Sequence, residues 1–446
     1  MKKIRPALLT LAFLLMLAAT AAAAPPADLG TWLFTDQRAK VWSFDSTPGQ
    51  KATWTGGRDA DSYAAGSGVL KITLKDQPLV TYEGSLQKGK FHGQGYLAYP
   101  GGGYYKGGFA DGLPDGQGTV FIHDIFAFVS TFLKATPAQM DTFRQYFKHD
   151  VSFTYQGSYR QGVPDGTGRM NLGNVLIYEG GFQGGLPHGK GKGQLRSISE
   201  LVAMFLPFLA SGDSSGDDSK PLDDLTYEGD FVNGLPHGKG SYKIGIGITY
   251  EGDLVKGRPH GQGLMRVNGT FTYQGPFVDG SRQGKGIMKY DNGSSYEGDF
   301  VGDKRQGKGR FRDKDGSLYQ GDFKDNLAQG QGTLAGADGS VYQGEFQAGK
   351  RHGQGTIKWP DGSTYQGDWF YGKRHGHGLY RQADGTVYQG DFILENRTGN
   401  GRLTTSGGAW YQGEFLDGLY HGQGTLYNPG GTVQKQGRWE KGKFLD

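Results

Sequence analysis

Residues 342–364, YQGEFQAGKRHGQGTIKWPDGST, decide the fold of this 446-residue chain. Tyr342, Gly344 and Phe346 stand two residues apart, and side chains alternate along an extended chain, so the three share one strand face while Gln343 and Glu345 share the other. That is the pattern of a half-buried antiparallel strand. Gly349 supplies the positive φ of a hairpin turn. Gly353 and Gly355 open a second short strand, which Asp361-Gly362 ends in another turn. One period is therefore one β-hairpin plus its connection.

The Tyr-x-Gly triplet recurs at Tyr82, Tyr105, Tyr155, Tyr178, Tyr227, Tyr250, Tyr273, Tyr296, Tyr319, Tyr342, Tyr365, Tyr388 and Tyr411, a spacing of 23 residues broken only by two insertions of 27 and 26. Thirteen repeats are recognisable. Four residues after the tyrosine stands Phe in nine of them, otherwise Trp369, Tyr159, Leu86 or Leu254. Seven residues after it, ten of thirteen have Gly, and the exceptions include Asp303 and Asn326, residue types that tolerate positive φ. Every repeat then carries Gly-x-Gly.

These residues resemble the MORN repeat family, whose pattern is close to Tyr-Glu-Gly-x-Phe, then Gly, then His-Gly-x-Gly, then Asp-Gly. Tyr296-Glu297-Gly298-Asp299-Phe300 and Arg351-His352-Gly353-Gln354-Gly355 carry it plainly. The resemblance implies an all-β fold: an elongated antiparallel meander of about 13 MORN-type β-hairpins, curled into a twisted, grooved ribbon, with two short helical insertions. It also assigns structural roles to Tyr296, Gly298, Phe300, Gly307, Gly309, Tyr342, Gly344, Phe346, Gly353 and Gly355. At about 4.8 Å per strand, nine uninterrupted repeats would run roughly 85 Å.

Composition agrees with a repeat array. Only 35% of residues are hydrophobic, yet 13% are aromatic and 81 are glycine, so the core is built from Tyr and Phe rather than from a mass of aliphatic side chains. The formal charge is +4, from 48 basic and 44 acidic residues. Without Lys2, Lys3 and Arg5 the count is 45 against 44, or +1, which argues against nucleic acid as a partner. Residues 1–24 show a basic start, an apolar run and a small-residue stretch, the three-part pattern of a secretory signal peptide. With no cysteine in the chain, the expectation is a periplasmic protein, the alternatives being secretion or retention as an inner-membrane anchor. The expected organisation is an N-terminal cap with a degenerate repeat at 25–81, starting its repeat at Trp54-Thr55-Gly56; repeats 1–2 at 82–121; a helical insertion at 122–154; repeats 3–4 at 155–194; a helical insertion with an acidic polar loop at 195–226; repeats 5–13 at 227–433; and a truncated C-terminal repeat at 434–446.

Three tempting sites dissolve against the period. Seven of the ten histidines, His92, His188, His237, His260, His352, His375 and His421, fall ten residues after their tyrosines, about 10 Å apart, too far to share one metal ion. Other repeats put Asp, Gln or Thr there, which points to turn capping. Gly184 to Lys190 mimics a phosphate loop, but Gly191 follows in place of Ser or Thr. Asp313-Lys314-Asp315-Gly316 begins like a calcium loop and lacks the closing carboxylate, since Lys324 occupies its place. No catalytic constellation, metal site or cofactor site is expected.

Two features exceed the repeat. Both insertions carry apolar stripes at helical spacing, including Phe126, Phe132, Leu133, Phe143, Phe205 and Phe208, suited to packing or to a lipid or partner surface. Later repeats also carry cations near the turn, among them Arg258, Arg305, Arg351, Arg374 and Arg397. These pair locally with the acids three residues after the tyrosine, or face an anionic surface. The functional expectation, which the resemblance implies, is a non-enzymatic exported scaffold or adaptor binding a protein partner or another copy of itself. The alternative is peripheral membrane binding through the insertions and the basic turn row.

Overall fold

The computed structural model describes residues 30–44, 46–125, 151–173, 175–196, 224–245 and 247–445. Every element assigned among them is a β-strand. The leader lies outside the described residues, as does the greater part of each insertion, so the helices expected there form no part of the described fold.

The chain divides into two compact units, residues 1–260 and 261–446. Each is a meander in which a strand pairs antiparallel with the next along the chain. In the second unit one repeat reads as Val341–Gln347, a two-residue turn, Lys350–Lys358, and a Pro-Asp-Gly connection to Thr364–Phe370.

The core is set by one local arrangement. Gly344 pairs directly with Gly355, and the ring of Tyr342 lies across both. A Cβ on Gly344 would stand 2.6 Å from Tyr342 Oη and 2.5 Å from Gly355 Cα, so neither glycine accepts a side chain. The phenol donates to the carbonyl of Glu345, three residues on, at 2.9 Å. All thirteen repeats share this bond, from Tyr82 to Ser85 (2.9 Å) in the first unit to Tyr411 to Glu414 (3.1 Å) in the second. The ring over each glycine pair belongs to the same repeat, because its polar end reaches its own strand's carbonyl across a floor without side chains.

Neighbouring repeats are joined by the aromatic residue at position 4, counting the tyrosine as position 0. Tyr342 meets its own Phe346 edge to face at 5.2 Å and the next repeat's Trp369 at 5.3 Å. This herringbone runs unbroken from Tyr273 to Trp439 in the second unit. Such pairs contribute about 0.5–1.5 kcal/mol each beyond area burial. In the first unit it passes both insertions without losing step: Tyr105 meets Tyr159 at 5.3 Å, and Tyr178 meets Phe231 at 4.9 Å. Phe153 pairs directly with Ile122, and Asp224 with Arg196, so each insertion leaves and re-enters the sheet in register.

The hairpin turns hold two residues, both at positive φ, as in Ala348 (48°) and Gly349 (79°), which is the twist-matched turn for a two-residue hairpin. At position 7 the residues that replace glycine, Asp303 (71°), Asn326 (73°) and Glu395 (88°), each offer a side-chain oxygen to a backbone N–H of the preceding repeat: Arg282, Arg305 and Arg374, all at 2.9 Å. Those bonds offset the cost of the left-handed conformation. Beyond the turn the second strand bulges at Gly353 (59°), and the acid at position 3 closes the bulge, as where Asp368 Oδ2 accepts the His377 N–H at 2.7 Å.

Tryptophan stands at both ends, Trp54 in the tyrosine's place and Trp439 at position 4. Trp54 covers Gly56 and Gly68, and its Nε1 donates to the Gly57 carbonyl at 2.8 Å, the same three-residue reach as the tyrosines. Ahead of it, Thr31–Phe34 and Lys40–Ser43 form a small hairpin whose Trp42 N–H donates to the Gly89 carbonyl of the first repeat's turn. At the other end Trp439 donates to the Gly424 carbonyl at 3.1 Å, and Lys435 stands where a tyrosine would begin another repeat.

Two substitutions separate these contributions. Gly309→Ala drives a methyl into the Tyr296 ring and should cost about 1–3 kcal/mol. Tyr296→Phe keeps the packing, loses the bond to Asp299 and should cost about 1 kcal/mol. Urea unfolding followed by circular dichroism measures both, and a neutral Gly309→Ala would contradict the packing described.

Candidate binding surfaces

On the face opposite the rings, the second unit carries a groove of about 1200 Å³ that crosses four successive hairpins. Its floor is the backbone of the facing glycines, Gly275, Gly286, Gly298, Gly309, Gly321 and Gly332. One wall alternates Gln274, Ile287, Glu297, Arg310, Gln320, Thr333 and Gln343, each directly opposite the next across the ladder. The other wall carries Gln262, Lys285, Lys308 and Gln331. Groove and core thus share one cause, since the side-chain-free floor that seats a tyrosine on one face leaves a channel on the other.

The second wall is held by charge. Lys308 sits opposite Asp322 and reaches it at 2.6 Å; Lys239 to Asp253 (3.0 Å) and Lys285 to Asp299 (3.5 Å) repeat the pattern. Lys190 spans the second insertion to Asp230 at 2.7 Å, and its ammonium holds that carboxyl below the usual carboxylate range. The acids at position 3 therefore pair with lysines twelve residues into the preceding repeat, not with the arginines beside the turn.

The arginines lie on the ring face. Arg351 donates to the Gly372 carbonyl of the next repeat's turn at 2.9 Å, and its guanidinium stacks 4.3 Å from the Trp369 ring. Arg305 reaches the Asn326 carbonyl (2.7 Å), Arg397 the Gly418 carbonyl (3.1 Å), and Arg374 the Glu395 carboxylate (2.6 Å). All four are half-buried between repeats. Arg258 differs: it stands at position 8, with Pro259 in the arginine's place. Phe126, Phe132, Leu133, Phe143, Phe205 and Phe208 lie outside the described residues.

Position 10 also ties one repeat to the next. Gln306 accepts the Asp325 N–H (3.0 Å), Asp115 the Gln161 N–H (3.1 Å), and His352 Nδ1 the Tyr371 N–H (3.5 Å), each capping the following hairpin's turn. His352 thus acts as an acceptor, whereas the buried Nδ1 atoms of His375 and His421 make no hydrogen bond. Among the described residues no group of three or more His, Cys, Asp or Glu is placed to hold a metal ion.

The sequence reading missed the groove, which depends on which face the bulges leave open. It also missed a run of apolar residues at the hairpin tips, Phe370, Tyr371, Ile393, Leu394, Leu416 and Leu419, all 45–55% exposed. Aligning positions 5 to 8 of successive repeats would have revealed it.

The MORN repeat model matches twelve segments, 82–104, 105–120, 155–173, 178–192, 227–248, 250–271, 273–295, 296–318, 319–341, 342–364, 365–387 and 411–433, more than half of the chain. The chain belongs to the MORN repeat family. The repeat at Tyr388, outside those segments, folds like the others although Glu395 replaces its turn glycine. No curated protein matches. Among solved structures, the SAS-4 TCP domain of Drosophila melanogaster, in complex with a proline-rich motif of Ana2, is similar at 13% identity over 35% of this chain and 85% of that one, with a TM-score of 0.24. A streptogramin B lyase is similar at 11% identity over 49% of this chain and 80% of that one, with a TM-score of 0.13.

Arg351→Lys keeps the charge but loses the turn carbonyl and the stack, so it should destabilise the chain by about 1–2 kcal/mol, equally at low and high salt. Lys308→Ala, which removes a surface pair, should stay within about 1 kcal/mol and change with salt. Urea midpoints at two ionic strengths check both.

Proposed function

We propose that this MORN repeat chain is a non-catalytic binding scaffold that takes an extended segment of a partner protein along the groove of its second unit. The observation that carries the reading is the continuous channel walled by Gln274, Gln320, Gln331 and Gln343 over a floor of glycine backbone. A carboxamide both donates and accepts, as the alternating N–H and C=O of an extended main chain require, and the side-chain-free floor lets another backbone approach closely.

An exported, periplasmic setting is part of the proposal and rests on the three-part pattern of residues 1–24. Attachment to an anionic surface through the basic turn row draws less support, because Arg305, Arg351, Arg374 and Arg397 spend their donors on neighbouring carbonyls and carboxylates.

A photo-crosslinking residue placed at Gln320 or Gln343, in cells that express the chain, should yield one discrete protein adduct, absent when the same residue replaces exposed Asp384 on a connecting turn. Equal labelling at all three positions, or none in the groove, would contradict the scaffold reading.

A further inference from the structure

Four Asn-Gly pairs occur in the chain, at Asn233, Asn268, Asn292 and Asn400. In such a pair the main-chain nitrogen of the glycine can attack the side-chain amide before it, because glycine has no Cβ to obstruct the approach. The attack asks two things of the structure. The glycine N–H must donate to nothing, since its nitrogen has to give up the proton, and the amide must be free to swing onto it. The fold withholds these conditions at three of the four pairs.

Asn233 and Gly234 form a hairpin turn at φ 50° and 80°, and the Gly234 N–H donates to the Pro187 carbonyl of the preceding repeat at 2.9 Å. Asn400 lies inside the strand Asn396–Thr404, where Gly401 is laddered between Gly390 and Gly413 beneath the Tyr388 ring. Asn292 is pinned on both sides. Its Oδ1 accepts the Ser294 N–H at 2.9 Å and the Ser294 hydroxyl at 2.7 Å, while the Gly293 N–H donates to the Tyr290 carbonyl at 3.0 Å. Asp315, Asp338, Asp361 and Asp384 accept the N–H two residues on in the same way, at 2.8–2.9 Å.

The connection at Asn268 is built differently. It holds three residues, 268–270, where the connection at Asn292 holds four, 291–294, so Gly269 stands where Asn292 and those aspartates make their cap. The Thr270 N–H closes the turn on the Val267 carbonyl at 3.0 Å. Gly269 (φ 73°) is its second central residue, and Asn268 before it lies outside the left-handed region. Among the described residues neither the Gly269 N–H nor the Asn268 amide makes a hydrogen bond. Both residues are exposed, and a Cβ on Gly269 would meet no atom within 4 Å.

We propose that Asn268 is the chain's site of spontaneous deamidation, with water as the only co-reactant. The Gly269 nitrogen loses its proton to hydroxide and attacks Asn268 Cγ; the new C–N bond forms, the bond to Nδ2 breaks, and ammonia leaves with a proton taken from water. Water then opens the resulting succinimide at either carbonyl, which gives aspartate or isoaspartate. The net exchange is one water for one ammonia. The product places a negative charge and, in the isoaspartyl form, an extra main-chain methylene at the entry to Phe271–Val278, the strand that carries Gln274 of the groove.

The test incubates the full chain in mildly alkaline buffer, folded and in guanidinium chloride, and maps its peptides by mass spectrometry over time. In the folded chain Asn268 should convert about tenfold or more faster than Asn233, Asn292 and Asn400, whose reaction must first break one or more hydrogen bonds. In guanidinium chloride the four pairs should react at similar rates, because the glycine is common to all. Asn268→Gln should leave the circular dichroism unchanged and remove the leading acidic species. Equal rates in the folded chain, a lead for Asn268 that persists unfolded, or an acidic species that survives Asn268→Gln would overturn the proposal.

Discussion

A phenol laid across two facing glycines, bonded to the carbonyl three residues along its own strand, is the interaction on which the rest depends. It requires a long ring with a donor, tyrosine in all thirteen repeats, since phenylalanine has no donor and a shorter residue does not reach. It requires glycine at positions 2 and 13, since any Cβ there collides with the ring or the opposing backbone. The use of Trp54 with Gly56 and Gly68 shows that the geometry is what matters: an indole N–H makes the same reach over the same floor.

Up to three further ties join a repeat to the next, all made from residues of one hairpin to the turn or ring of its neighbour. They are the position 4 aromatic, the position 9 arginine and the position 10 acceptor. Stability in such an array comes from each repeat and its contact with the next, which is how a chain with few aliphatic residues folds without one large core. Charge divides accordingly. Arginine, whose planar fork stacks and donates at once, lies among the rings, and lysine remains on the outer face where Asp299 and Asp322 meet it.

The hairpin, its buried face and its turn were legible in Tyr342, Gly344, Phe346 and Gly349, because a period of two and a positive-φ glycine are local signals. Trp54 and Trp439 were legible for the same reason. The owner of the ring over each glycine pair was not, since the bulge at Gly353 shifts the register between the strands. Nor were the arginine contacts, which span 21 residues to the next turn. The reason for Asp303, Asn326 and Glu395 at position 7 was half visible: their tolerance of positive φ could be read, their bond to the preceding repeat could not.

Alkaline titration of the intact chain, following phenolate absorbance and the β-sheet circular dichroism together, tests the tyrosine arrangement most directly. Burial pushes Tyr82, Tyr178, Tyr296, Tyr342 and Tyr411 up to about 12, and the other repeat tyrosines also upward. In the unfolded chain these phenols ionise near pH 10. Stability from keeping them neutral is therefore fully present below pH 10 and is lost as pH rises through the folded values. The arrangement predicts that the repeat tyrosines ionise well above pH 10, together with loss of the sheet. Ionisation of all tyrosines near pH 10, reversible and with the sheet signal unchanged, would contradict it.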